Sequence, residues 1–233
     1  YTALVEPSVS NMGYITTALP YEEREKSGHK GGAIASASVA IGPMGGVYVT
    51  CDSLPQGQGH KTVLAQVVAD IFGISFETVN VNTELDTQKD PWSIAAGNYS
   101  SRFAGAVAGT TALAAKKLKT KLALIASSKL NCKTENLVFE NNYVLDKNNI
   151  ENKIHFNRLG GNEHWSPSQL NESSQNGLQE VVQWSPQELK PPNQKDQING
   201  SLAYGFVFDV CGLEIDPTTG KTKIDRYITG HDL

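Results

Sequence analysis

The sequence predicts a folded chain that mixes strands and helices, on three observations. Alternating β-branched runs lie at 31–51 and 200–233, two apolar helical stretches lie between them, and Gly- or Pro-containing turns separate the pieces. At 233 residues the chain can bury a core without disulfide staples. Its composition, 39% hydrophobic and 19% charged, excludes wholesale disorder and collagen-like repeats. A net charge of −4 leaves no basic footprint for nucleic acid or anionic lipid. No stretch approaches the ~20 apolar residues that cross a bilayer, and YTALVEPSVSNMGY lacks a signal peptide's layout, so the chain reads as cytoplasmic. Cys51, Cys132 and Cys211 are far apart and form no CxxC pair, which suits reduced, packed thiols. The chain starts without Met and stops just after a strand-like run, so it reads as a piece of something longer.

The elements follow in order. GGAIASASVAIGPMGGVYVTC (31–51) reads as two strands joined by a Gly-containing loop. KTVLAQVVADIFGI then gives a strongly apolar helix ended by Gly73. FETVNVNTEL alternates as a strand, DTQKDPWS is a polar loop, and a small-residue helix runs from about Ser101 to Leu130. KKLKTK within that helix reads as its solvated face, since Leu118 and Leu122 mark the buried one. From 131 to 199 the chain turns polar and Asn/Gln-rich, which predicts an irregular surface excursion with short strand-like pieces such as NLVFE and YVL. The last segment, with DPTTGK between two strand-like runs, reads as a β-hairpin.

Two turns stand where an anion could bind. In the first, Gly57, Gln58, Gly59 and His60 lie between a strand and a helix. The glycines free the backbone for tight geometry, and the helix start supplies free N–H donors. The motif is neither a Walker A loop nor a complete GxGxxG fingerprint, and taken alone it is better explained by glycines that only shape a strand-to-helix turn. In the second, Gly97, Asn98, Tyr99, Ser100, Ser101 and Arg102 read as a helix entrance with hydroxyl caps and a forked cation. Ordinary capping, with Arg102 paired to Asp86 or Asp90, is the alternative. The five histidines, His29, His60, His155, His164 and His231, show no metal-ligand spacing, and no GxSxG elbow or catalytic cysteine motif is present.

QGQGHKTVLAQVVADIFGI, TELDTQKDPWSIAAGNYSSRFAGAVAGTTALAAKKL and NGSLAYGFVFDVCGLEIDPTTGKTKIDRYITGHD together strongly resemble the molybdopterin-binding large subunit of the xanthine dehydrogenase family. The likeness is strongest to its aerobic carbon monoxide dehydrogenase-like and heterocycle-hydroxylating branches. The resemblance implies an α+β domain of mixed β-sheets flanked by helices. It implies that both turns lie against the pterin and pyrophosphate of molybdopterin cytosine dinucleotide, with Gln58 hydrogen-bonding near the metal end and Ser100 and Ser101 binding polar atoms. Lys61 departs from the acidic residue frequent after GQGH in that family.

On the same footing the reaction is hydroxylation of a heterocycle or aldehyde with oxygen from water. Electrons would pass to [2Fe-2S] clusters and FAD on partner subunits. The implied partners are the remainder of the molybdenum subunit, an FAD-binding medium subunit and an iron-sulfur small subunit, assembled as a dimer of heteromers. The family's base, a Glu after Gly, has no match here. Glu214 sits in a strand-like run, so no catalytic residue and no protein metal ligand is assigned. Three parts are expected: 1–130 with both turns, the 131–199 excursion, and the 200–233 hairpin leading into a missing C-terminal part. A scaffold of the same fold that binds no cofactor is the competing reading.

Overall fold

The computed structural model describes residues 1–24, 26, 34–90, 92–93, 97–165, 177–190 and 192–232. His29, residues 31–33 of the first hairpin and 166–176 and 191 of the polar stretch lie outside the described residues. The elements are β1 (Thr2–Ser10), α1 (Tyr21–Arg24), β2 (Ala35–Ile41), β3 (Val47–Cys51), α2 (His60–Phe72), β4 (Val79–Asn82) and α3 (Gly109–Leu130). They continue with β5 (Leu137–Glu140), β6 (Tyr143–Asp146), β7 (Asn149–His155), α4 (Phe156–Trp165), β8 (Gln179–Trp184), β9 (Ser201–Ile215) and β10 (Thr222–His231). The fold is α+β with mixed strand pairing: β3 runs parallel to β4, while β2 runs antiparallel to β3 and β8. The chain divides into two compact units, Tyr1–Gly32 with Tyr99–Arg102 and Pro186–Leu233, and Ala33–Asn98 with Phe103–Ser185.

The larger unit is built on a four-stranded sheet of order β4-β3-β2-β8. β2 is buried along almost its whole length, on both side-chain directions, so even Ser36 and Ser38 are enclosed. Such a strand keeps polar side chains only where they find partners. Ser38 Oγ lies 2.6 Å from Thr50 Oγ1 across the hairpin. α2 and α3 supply the apolar cover. Leu64, Val68 and Phe72 recur at helical spacing on α2, and Leu118, Leu122 and Ile125 do so on α3.

The basic run within α3 is only partly a solvated face. Lys116 and Lys117 are exposed. Lys119, however, donates to the Ile71 carbonyl at 2.5 Å, capping the end of α2, and Lys121 pairs with Glu180 on β8. Burial also holds the Lys119 ammonium below its ordinary pKa.

The segment after 131 is more regular than its composition predicts. β5, β6 and β7 form an antiparallel meander, followed directly by α4. The first turn is Asn141-Asn142, both left-handed, as a tight hairpin requires. Asn142 also bonds Gly73 O through its own N–H at 2.8 Å and accepts from Ser75 N at 2.9 Å, which docks the meander on the end of α2. Polar composition here reflects turns and docking bonds within a short-stranded sheet.

The smaller unit holds the sheet β1-β9-β10, antiparallel throughout. The predicted terminal hairpin is present as β9 and β10. β1 had no counterpart in the sequence reading, because its pairing to β9 spans most of the chain. Arg24 is buried here, with Nη1 2.5 Å from Asp196 Oδ1 and Nε donating to Leu19 O at 3.0 Å. At the β9–β10 turn, Asp216 Oδ1 accepts from Thr218 N at 2.8 Å and Thr219 N at 3.2 Å.

Two predictions follow from local geometry. Gly73 has φ 63°, and a Cβ there would fall 2.1 Å from Phe139 O. Gly73→Ala is expected to lower unfolding stability by about 2 kcal/mol or more in chemical denaturation, through left-handed strain plus the clash. The Thr218 and Thr219 N–H groups hold the Asp216 carboxyl below its ordinary pKa. A lowered folded-state value means that its contribution is complete above the ordinary carboxylate pKa and is lost as pH falls through the lowered one. The Thr218 and Thr219 amide NMR signals should therefore titrate together in acid, and Asp216→Asn should abolish that titration.

Candidate functional site

In the larger unit the chain leaves β3 through a buried base into an exposed turn. Cys51, Asp52 and Ser53 are buried, residues 54–59 are exposed, and His60 is buried again as α2 begins. Asp52 Oδ2 accepts from Ser36 N at 2.9 Å and from the Ser93 hydroxyl, while Asp52 N donates to Ser36 O at 3.0 Å. One carboxylate thus ties β2, the end of β3 and the 92–93 segment together.

Ser53 forms the second tie. Its Oγ donates to Asn98 Oδ1 at 2.7 Å and lies 3.0 Å from His60 Nε2. A hydroxyl has one proton, already given to Asn98, so His60 Nε2–H must be the donor to Ser53. His60 is therefore held as the Nε2–H tautomer, its ring stacked on Phe103 with centroids 3.8 Å apart. Asn98 Nδ2 in turn donates to the Leu54 carbonyl. His60 and Asn98, both singled out from sequence, are brought together by Ser53, which was not. The signal available for it was a small hydroxyl residue directly after a strand, and that is too common to stand out.

The turn itself is made of Gln56, Gly57, Gln58 and Gly59. Gly57 has φ 100° and Gly59 φ 77°, and a Cβ at either would meet nothing within 4 Å. These glycines answer to backbone conformation, with open space in front of them. Gln58 Oε1 accepts from Gln56 N at 2.6 Å, which bends the turn and leaves the amide NH2 outward on an exposed residue. The start of α2 has no side-chain cap and no acidic residue in its first turn, and Lys61 is exposed there. A helix N-terminus of that kind carries unneutralised partial positive charge with a cation beside it, which favours an anion.

The second predicted site is arranged differently. Residues 99–102 belong to the smaller unit, whereas Gly97 and Asn98 belong to the larger. Helix does not begin at Ser101: Ser100 and Ser101 are left-handed, with φ 56° and 43°, and a π-helical turn starts only at Phe103. Their hydroxyls do not cap helix donors. Ser100 Oγ donates to Pro7 O at 3.3 Å, contacts Ser10 Oγ and accepts from Ser10 N at 3.1 Å. Ser101 Oγ lies 3.4 Å from Glu6 Oε1, and Ser8 Oγ donates to Ser101 O at 3.2 Å. The pair is laced to β1. Tyr99 is exposed, Arg102 is buried, and Asp86 pairs with Lys89 at 2.7 Å. Among the described residues no group of three or more His, Cys, Asp or Glu could hold a metal ion, and no helix is long and apolar enough to cross a membrane.

The sequence matches the family described as molybdopterin cofactor-binding domain over residues 7–233. The chain belongs to that family. The large subunit of nicotine 6-hydroxylase from Paenarthrobacter nicotinovorans is 28% identical over 81% of this chain and 24% of its own length. The large chain of carbon monoxide dehydrogenase from Hydrogenophaga pseudoflava is 29% identical over 84% of this chain and 22% of its own. A carbon monoxide dehydrogenase structure from Oligotropha carboxidovorans superposes with TM-score 0.72 at 26% identity, covering 99% of this chain and 25% of that one. The quinoline 2-oxidoreductase of Pseudomonas putida 86, at 21% identity and TM-score 0.73, shares the fold. This molybdopterin-domain chain thus spans about a quarter of the relatives it matches.

The residues of the first turn fit such a cofactor. Its phosphates are anions and its pterin is rich in hydrogen-bonding groups, and the turn offers an open approach, uncapped helix donors and an outward amide.

The Ser53 bridge gives a prediction. Ser53→Ala leaves His60 Nε2–H and Asn98 Oδ1 without their shared partner, and is expected to cost about 1–3 kcal/mol in thermal or chemical unfolding. The His60 ring NMR signals should then report a mixed tautomer.

Proposed function

We propose that this chain is the molybdopterin-holding part of a molybdenum hydroxylase large subunit. The observation that carries the reading is the Gly57-Gln58-Gly59 turn on its buried Asp52–Ser53 base, within a chain matching the cofactor-binding family almost throughout. Backbone N–H groups at the start of α2 bind phosphate, aided by Lys61, while the Gln58 amide donates toward the metal end. His60 does not face the ligand as a base; it fixes the turn through Ser53 and Phe103. Asn98 holds the Leu54 end of the loop from the other side. From the second segment, Gly97 offers its main chain beside Asn98 in the same unit. The serine hydroxyls set the backbone path of the segment through their bonds to β1.

The cofactor is taken in its cytosine dinucleotide form, following the bacterial heterocycle-hydroxylating branch that the motifs resemble. When bound, it supplies the two-electron redox chemistry for hydroxylating a heterocycle, aldehyde or similar small substrate with oxygen from water. The electrons would be taken up by [2Fe-2S] and FAD partner subunits, with the assembly in the cytoplasm. Among the relatives, one is named for a heterocycle, nicotine, and another for carbon monoxide. The catalytic base comes from outside these residues.

The test separates donors from scaffold. In the complex purified from its native host, Gln58→Ala is expected to lower pterin per chain at least about tenfold, the loss of one hydrogen bond to the cofactor, with circular dichroism unchanged. Unchanged pterin with the same fold would support the scaffold reading instead.

A further inference from the structure

Two ammonium groups on α3 stand against an apolar wall. A groove of about 490 Å³ runs between α3 and β5, lined by Lys116, Lys119 and Thr120 on one side and by Leu137, Val138 and Phe139 on the other. All six residues lie in the larger unit. The groove is at the far end of α2 from the Gly57–Gly59 turn, since Lys119 donates to the Ile71 carbonyl, roughly 17 Å along the helix axis from His60. Spacing i, i+3 sets Lys116 and Lys119 on one helix face, where like charges repel. Farther along α3 such charges are matched: Lys121 pairs with Glu180 and Lys129 with Glu163. Among the described residues neither Lys116 nor Lys119 has a carboxylate partner.

Lys119 is held in place on the groove wall. Its ammonium has three N–H donors. The Ile71 carbonyl takes one, and the group stands 4.7 Å from the centre of the Phe139 ring. Burial disfavours the charge it carries, and an anion beside it would offset that penalty. The groove has the size of a small-molecule site, roughly 300–1,000 Å³, and the usual make-up of one, an apolar lining with a few placed polar groups. Inorganic phosphate or sulfate would engage the lysines and leave the Leu137–Phe139 wall against water. A neutral aromatic would cover that wall and leave the two charges unmatched. We propose that the groove binds a small amphipathic carboxylate, with its anion on Lys116 and Lys119 and its apolar body against Leu137, Val138 and Phe139. The site does not depend on the molybdopterin reading.

The test uses the complex purified from its native host and the photolabel 4-azidobenzoate, with adducts mapped by peptide mass spectrometry. The expected adducts fall within 116–123 or 134–139. Benzoate should suppress them at concentrations at which benzamide, the same ring without the charge, and inorganic phosphate do not. Lys116→Gln, at an exposed residue, and Lys119→Gln are each expected to cut this labelling at least about tenfold, the loss of one charge-assisted hydrogen bond. Lys119→Gln also removes the cap on α2, so Lys116→Gln decides the matter if that variant does not fold. No adduct in the groove, labelling unchanged in Lys116→Gln, or suppression by benzamide or phosphate as strong as by benzoate would overturn the inference.

Discussion

A glycine turn has no stiffness of its own, and the exposed Gln56–Gly59 turn depends on the buried polar junction under it. Asp52 and Ser53 sit at the buried end of the β2–β3 strand pair, where an unpaired polar group would cost more than the bond it makes is worth. Each is matched: Asp52 by Ser36 and Ser93, Ser53 by His60 and Asn98. The desolvation penalty that would punish any misplacement is what fixes the two ends of the turn. The glycines between them can then adopt left-handed geometry and face open space without wandering.

The second segment is held by another device. Two consecutive left-handed serines are disfavoured for residues with side chains, at a cost of order 1–3 kcal/mol each, and they persist because β1 bonds them from several sides. Hydroxyls in that role are structural. Their bonds to β1 hold the backbone path of the segment.

Legibility in the sequence followed the range of the interactions. α2 and α3 were readable because helical periodicity and the terminal Gly73 are local signals. The β2–β3 and β9–β10 hairpins were readable from turn chemistry. β1 was not, since its partner lies at the far end of the chain. The 137–155 meander was obscured by polar turn residues, although Asn141-Asn142 carries a hairpin signal. At the site, the glycine turn was visible as a motif. Ser53 and Asp52 were not, because burial and partners decide their importance, and neither has a sequence mark. Ser100 and Ser101 were visible but misread as caps, since the sequence gives no sign that helix is delayed to Phe103.

The account rests on the turn holding a molybdopterin, and metal analysis tests that most directly. Molybdenum by elemental mass spectrometry and pterin by fluorescence after oxidation should be measured on the complex from its native source. The account predicts both, at close to one per chain. A folded, intact complex containing neither would contradict it, and would leave the turn as a structural feature of a scaffold.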